Sequence, residues 1–243
     1  MGTTEPLLFS AMYRERLAET VPRVRDRIAA AAEASGRDAA AVRLVAVTKG
    51  HPPEALEAAI GAGLRDLGEN RLDELEEKVA RLGRDVATWH MIGHVQGRKA
   101  ARAVEIADLI HSVDTLRLAE RISRAAGEEG RTVRVLAQVN TSGEGSKSGF
   151  PVAEALEQVL RMAELPGLGV DGLMTMAPFV DDEEILSSAF RVLRETLDEI
   201  RAADPRVGPV LSMGMTNDLE IAVREGSTMV RIGTALFGER PAS

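Results

Sequence analysis

The sequence predicts an α/β fold: a single (β/α)8 barrel of the TIM type with an extra N-terminal helix. Three observations carry this expectation. Between about residues 42 and 240, short apolar runs alternate with amphipathic helical segments, the pattern of parallel strands joined by crossover helices. Eight such runs share one register, which favours a closed barrel. A doubly wound sheet would carry a Gly-rich turn directly after its first strand, and TKGHPPE stands there instead.

The N-terminal helix is expected over about 10–35, because Leu17, Val21, Val24 and Ile28 recur at helical spacing. Thr20 and Pro22 mark a restart or kink, and Gly36 ends the helix. The eight strands fall at about 42–48, 65–69, 88–92, 109–113, 133–139, 170–175, 209–212 and 229–232. Pro52 and Pro53, Asp114 and Thr115, and Pro151 are start signals for the helices that follow them. No linker or composition shift divides residues 1–243, so one barrel domain is expected across them.

A formal net charge of -8 and a pI near 5.2 exclude a broad electrostatic footprint for nucleic acid or an anionic membrane, so an anionic ligand needs a local site. The absence of cysteine removes disulfides, zinc thiolates and thiol nucleophiles, and fits a reducing compartment. No targeting signal or membrane-length apolar stretch is evident, and a cytoplasmic protein is expected.

Barrel active sites lie at the C-terminal ends of the strands. In VRLVAVTKG, Arg43, Val45, Val47 and Lys49 alternate onto one face, which aims Lys49 at the barrel mouth; the competing reading is a solvated lysine at a strand end. Desolvated there, its amine would favour the neutral form that attacks an aldehyde. LSMGMTND (211–218) and VRIGTALFG (230–238) each place a glycine where a strand gives way, with Ser212, Thr216 and Thr234 as hydroxyl donors. Loops after strands seven and eight often bind phosphate in this fold, although lone glycines are usually turn residues. Barrel closure would set that cradle beside Lys49. A phosphorylated aldehyde cofactor or an aldolase reaction suits this pairing equally.

His51, His90, His94 and His111 lack the spacing of a metal site, and none is expected. The acidic run DELEEK (73–78) reads as a solvated helix face with a Glu74 to Lys78 pair. Met174, Met176, Met213 and Met215 read as core filling before pocket walls.

From about Val42 to Arg240 the sequence resembles the pyridoxal phosphate homeostasis protein family, relatives of the N-terminal barrel of alanine racemase. The resemblance rests on AVTK, LGENR (67–71), HMIGHVQGRK (90–99), HSVD (111–114), QVNTSGEGSKSGF (138–150), GLMTM (172–176), LSMGMTND and VRIGTALFGER (230–240). It implies pyridoxal 5′-phosphate (PLP) as the cofactor and Lys49 as its Schiff-base lysine. It further implies that Ser212, Gly233 and Thr234 contact phosphate, that Arg231 lies near the pyridine nitrogen, and that Asn70, His90, Met213 and Gly214 line the pocket. Val95 stands where leucine is usual, Arg98 where asparagine is usual, and Thr216 where serine is common.

The resemblance implies a non-catalytic PLP carrier that buffers or delivers the cofactor inside the cell, with apo PLP-dependent enzymes as recipients. The alternative is a PLP-dependent, racemase-like enzyme. Two-base racemisation needs a second acid/base group; racemases take a tyrosine from a second domain, and the only tyrosine here is Tyr13 in the N-terminal helix. A monomer is expected. Lys147, in the loop TSGEGSKSGF, is a second candidate amine for PLP entering or leaving Lys49; its competing reading is a surface lysine paired with Glu144 or packed on Phe150.

Overall fold

Alternating strands and helices build a barrel and the helical layer that wraps it. The computed structural model describes residues 5–144 and 148–240. Eight parallel strands form the barrel: β1 (Arg43–Val47), β2 (Asp66–Glu69), β3 (Thr88–Met91), β4 (Leu109–Val113), β5 (Val133–Asn140), β6 (Leu168–Met174), β7 (Val210–Ser212) and β8 (Met229–Ile232). Each pairs with its sequence neighbours, and β1 pairs with β8 to close the ring. A two-residue segment, Phe150–Pro151, adds to β5 beyond the expected strands.

The helices are α1 (Glu5–Ala34), α2 (Pro53–Gly61), α3 (Leu72–Leu82), α4 (Ala100–Ile106), α5 (Leu116–Glu128), α6 (Val152–Ala163), α7 (Glu183–Ala203), α8 (Leu219–Arg224) and α9 (Thr234–Phe237). The expected start signals work as capping chemistry predicts. Pro53 opens α2, Pro151 precedes α6, and the Thr115 side chain accepts from the Leu118 N–H.

Helix α1 corrects two expectations. It begins at Glu5 instead of near Ser10, and it runs through Pro22 without a restart. A proline inside a helix removes one backbone hydrogen bond. Here tertiary packing offsets that loss: Tyr13, Leu17, Val21, Val24 and Ile28 are buried where α1 lies on α2, α8 and α9. No helix among the described residues is long and apolar enough to cross a membrane.

Period-two alternation divides the core in two. Val45, Val47, Leu109, Leu136, Met174 and Met229 point inward and form a small apolar cluster inside the barrel with Ile92. The opposite faces of the strands, with Trp89 and Ile110 among them, pack against the helices. The inner cluster is small because polar side chains occupy much of the interior.

Gly172 sits where β6 shifts register against β5, with φ at +148°. A Cβ there would lie 2.0 Å from the Val210 carbonyl oxygen. Gly172→Ala should therefore destabilise the barrel by roughly 2–4 kcal/mol, measured by urea unfolding.

Candidate functional site

The first residues past β1 set the geometry of the mouth. Val45 and Val47 face the interior, and Lys49 continues their face two residues on, half-buried at the rim. Burial is the main cause that lowers its amine pKa below the usual lysine value; Arg240 and Arg231 add to this, and Glu69 opposes it. The site therefore shifts the amine toward its neutral, nucleophilic form.

Closure of β1 on β8 brings the second candidate region alongside. Arg43 to Ala46 pair with Met229 to Ile232, so Gly233 lies against Val47; a Cβ on Gly233 would sit 3.2 Å from the Val47 carbonyl oxygen. Gly233 and Thr234 open α9, and among the described residues their backbone N–H groups donate to no protein acceptor. Gly214 turns the chain after β7 with φ at +97°, where a Cβ would meet Ala222 at 2.6 Å. The Ala235 N–H reaches Thr216 Oγ1 at 3.4 Å and ties the two loops together. Open N–H groups over small residues suit a phosphate.

Arg231 lies inside the mouth, 4% exposed. Its guanidinium donates to Ser212 Oγ and the Ser212 carbonyl, both at 2.7 Å, and to the Thr175 carbonyl at 2.9 Å. Burial pulls its pKa down to about 10, against the pull of Asp218, so the group remains a cation at neutral pH.

Three expected pocket residues lie deeper than the rim. Ser212 turns its hydroxyl inward, 3.0 Å from His111 Nδ1 and 2.7 Å from Arg231 Nη1. The reason is strand alternation: Ser212 shares the interior face of β7 with Val210. Met213 falls on the opposite face and is buried in the layer between strands and helices, away from the mouth. His90 is fully buried below the mouth, with Nδ1 2.9 Å from His111 Nε2 and Nε2 3.0 Å from Asp66 Oδ1. Asn70 stays at the rim, lining a cavity of about 220 Å³ with His94 and Lys99. Lys147 lies outside the described residues.

The DELEEK face is also corrected. Lys78 does not pair with Glu74; it is buried, donating to Glu69 Oε1 at 2.5 Å and to the Thr48 carbonyl at 2.9 Å. Glu74 instead accepts from the Gly50 N–H and pairs with Arg71. Thr48 also donates to Glu69 Oε1, so one buried carboxylate braces both neighbours of β1 and α3 just before Lys49. Burial raises the Glu69 pKa, while Lys78 and the hydroxyl hold it down. Met176 and Met215 are exposed, whereas Met174 is core.

Sequence reasoning missed two further contacts. Arg240 packs its stem over Gly50 beside Lys49, a pairing that only the return of the chain after β8 creates. Tyr13 holds His51 at 2.9 Å, and both rings pack against Phe237, Tyr13 edge-on and His51 tilted. His94 stands apart, 3.2 Å from Asp114.

The family model described as "Alanine racemase, N-terminal domain" matches residues 21–241. The pyridoxal phosphate homeostasis protein of Pseudomonas aeruginosa is 42% identical over 225 residues, covering 92% of this chain and 96% of that protein. A solved structure from Bifidobacterium adolescentis, described as an unknown protein, has 43% identity and a TM-score of 0.87, over 93% of this chain and 96% of that one. PipY of Synechococcus elongatus, solved with PLP bound, has 36% identity and a TM-score of 0.78, over 88% of this chain and 100% of that one.

Two outcomes follow from the geometry. Lys78→Met strands a buried carboxylate and should cost about 3–5 kcal/mol in chemical unfolding, more than the double variant with Glu69→Leu. Borohydride trapping of a small aldehyde should modify Lys49 with a pH midpoint below the ordinary 10.5, and Arg240→Ala, by removing a nearby positive charge, should move that midpoint up.

Proposed function

The chain belongs to the pyridoxal phosphate homeostasis protein family, and from that premise we propose that Lys49 holds PLP as a Schiff base in a carrier that buffers or delivers it. PLP binding and a part in PLP homeostasis come with the family, whose member PipY was solved with PLP. The observation that supports Lys49 as the anchor is its juxtaposition: a half-buried amine of lowered pKa beside the open N–H groups of Gly233 and Thr234.

The residues fit the cofactor by chemistry. The cofactor supplies an aldehyde carbon, an aromatic ring and a phosphate. Lys49 would take the aldehyde, Gly214, Gly233 and Thr234 the phosphate, and Arg231 the ring nitrogen, with Asn70 at the rim. A guanidinium there opposes protonation of the ring nitrogen, because two positive charges would adjoin. That weakens the ring as an electron sink.

The racemase-like alternative needs an acid/base group on each face of the ring. The chain's single tyrosine, Tyr13, is buried and bonded to His51 in the outer layer. This supports a carrier without committed turnover. One barrel domain, a monomeric and cytoplasmic protein, and apo PLP-dependent enzymes as recipients are parts of the same proposal.

Lys49→Ala should abolish the visible absorption band of the PLP-loaded protein while leaving its far-UV circular dichroism and melting temperature near wild type. A variant that keeps the band would overturn the anchor. Incubation of the loaded protein with single-enantiomer amino acids in deuterated water should give no rapid Cα exchange. Fast, Lys49-dependent exchange would move the protein into the enzyme class.

A further inference from the structure

The barrel interior holds a buried polar chain that neither the Schiff-base lysine nor the phosphate cradle uses. It crosses from β8 and β7 to β4, β3 and β2, and ends on Asp66 at the N-terminal end of the barrel. We propose that Asp66, His90 and His111 are positioning residues. Through a one-directional hydrogen-bond chain they fix the Ser212 hydroxyl and the Arg231 guanidinium, and Asp66 is the chain's proton port. The inference rests on the reading that Arg231 belongs to the cofactor site.

The two ends dictate the direction. A guanidinium only donates, so Arg231 Nη1 donates to Ser212 Oγ at 2.7 Å. A carboxylate only accepts, so Asp66 Oδ1 accepts from His90 Nε2 at 3.0 Å. A His90 ring with a single proton, spent there on Nε2, presents Nδ1 as an acceptor, and His111 Nε2 donates to it at 2.9 Å. His111 Nδ1 is then the acceptor for the Ser212 hydroxyl at 3.0 Å. With one proton on each ring, both imidazoles are Nε2–H tautomers, and the serine has spent its only proton. Burial, His90 and Arg231 all push the His111 pKa down, in keeping with a neutral ring.

Asp66 opens the other end. Its side chain is 19% exposed and lines a cavity of about 460 Å³ between α1 and the first strands, together with Arg25, Asp26 and Arg65. Arg43 Nη1 stands 3.5 Å from the carboxylate. His90, His111 and Ser212 are fully buried, so this cavity is the chain's contact with water.

The chain has the capacity to move one proton. A proton delivered to Ser212 Oγ would let the serine pass its own to His111 Nδ1. His111 passes its Nε2 proton to His90 Nδ1, and His90 passes its Nε2 proton to Asp66 Oδ1. The serine and both rings end neutral, and the carboxylate becomes the acid. Reversal returns the proton by the same links.

Nitrogen-15 spectra of the imidazoles in the ligand-free protein test the chain without the cofactor: both rings should be neutral Nε2–H tautomers at neutral pH. A ring found as the Nδ1–H tautomer, or doubly protonated, would overturn it. In the PLP-loaded protein, Asp66→Asn keeps an acceptor oxygen but cannot titrate. It should retain wild-type PLP affinity at neutral pH and lose the one-proton change in the visible band between about pH 8 and about pH 4. His111→Phe breaks the chain and should weaken PLP retention roughly tenfold at every pH. An Asp66→Asn profile identical to wild type overturns the port. Loss of the Lys49 assignment would sink the site reading while leaving the tautomer result standing, so the two failures are distinct.

Discussion

Pairing of Arg43 to Ala46 with Met229 to Ile232 is the contact on which the site depends. It joins the first strand to the last, across most of the chain, and so brings together residues that no local rule could relate. Lys49 leaves β1 as Gly233 leaves β8, and Arg240 comes back over Gly50. Without that closure there is a lysine on one loop and two glycines on another, and neither has a chemistry of its own. Helix α1 supports the closure from outside, where Thr20 donates to the Leu236 carbonyl and Tyr13 packs on Phe237.

The electrostatics of the mouth follow from burial as much as from charge. A lysine amine loses its preference for the ammonium form when water is withdrawn and cations stand nearby. Lys49 meets both conditions, with Arg231 and Arg240 facing it. The negative group that opposes them, Glu69, is largely committed elsewhere: Lys78 and Thr48 share its Oε1, and its Oε2 is buried without a partner among the described residues. The acid therefore braces the strand ends, and its pull on Lys49 is outweighed.

Most barrels of this type fill their interior with branched apolar side chains in layers. This one replaces part of that filling with Asp66, His90, His111, Ser212 and Arg231. Such groups are costly to bury unless each finds a partner. Here every named polar atom of the chain has one, and with one proton on each ring the donor-only and acceptor-only ends leave a single arrangement.

The sequence by itself determined the barrel, because period-two runs separated by capped helices report which face of each strand is buried. It also marked Lys49, whose alternation with Val45 and Val47 aims it inward, and the glycines at 214 and 233 as points of close approach. Tertiary structure alone decided the rest. Lys78 looked like a partner for Glu74 at helical spacing, but α3 turns it onto β2, where the buried Glu69 carboxylate outweighs an exposed pair. His90 and His111 carry no metal spacing and gave no signal as a pair; adjacent parallel strands set His90 Nδ1 and His111 Nε2 2.9 Å apart. Ser212 and Met213 were adjacent in one motif, yet alternation sends one inward and the other to the helices. Local pattern fixes the face a side chain takes, whereas its partner depends on which distant strand or helix the closed barrel puts there.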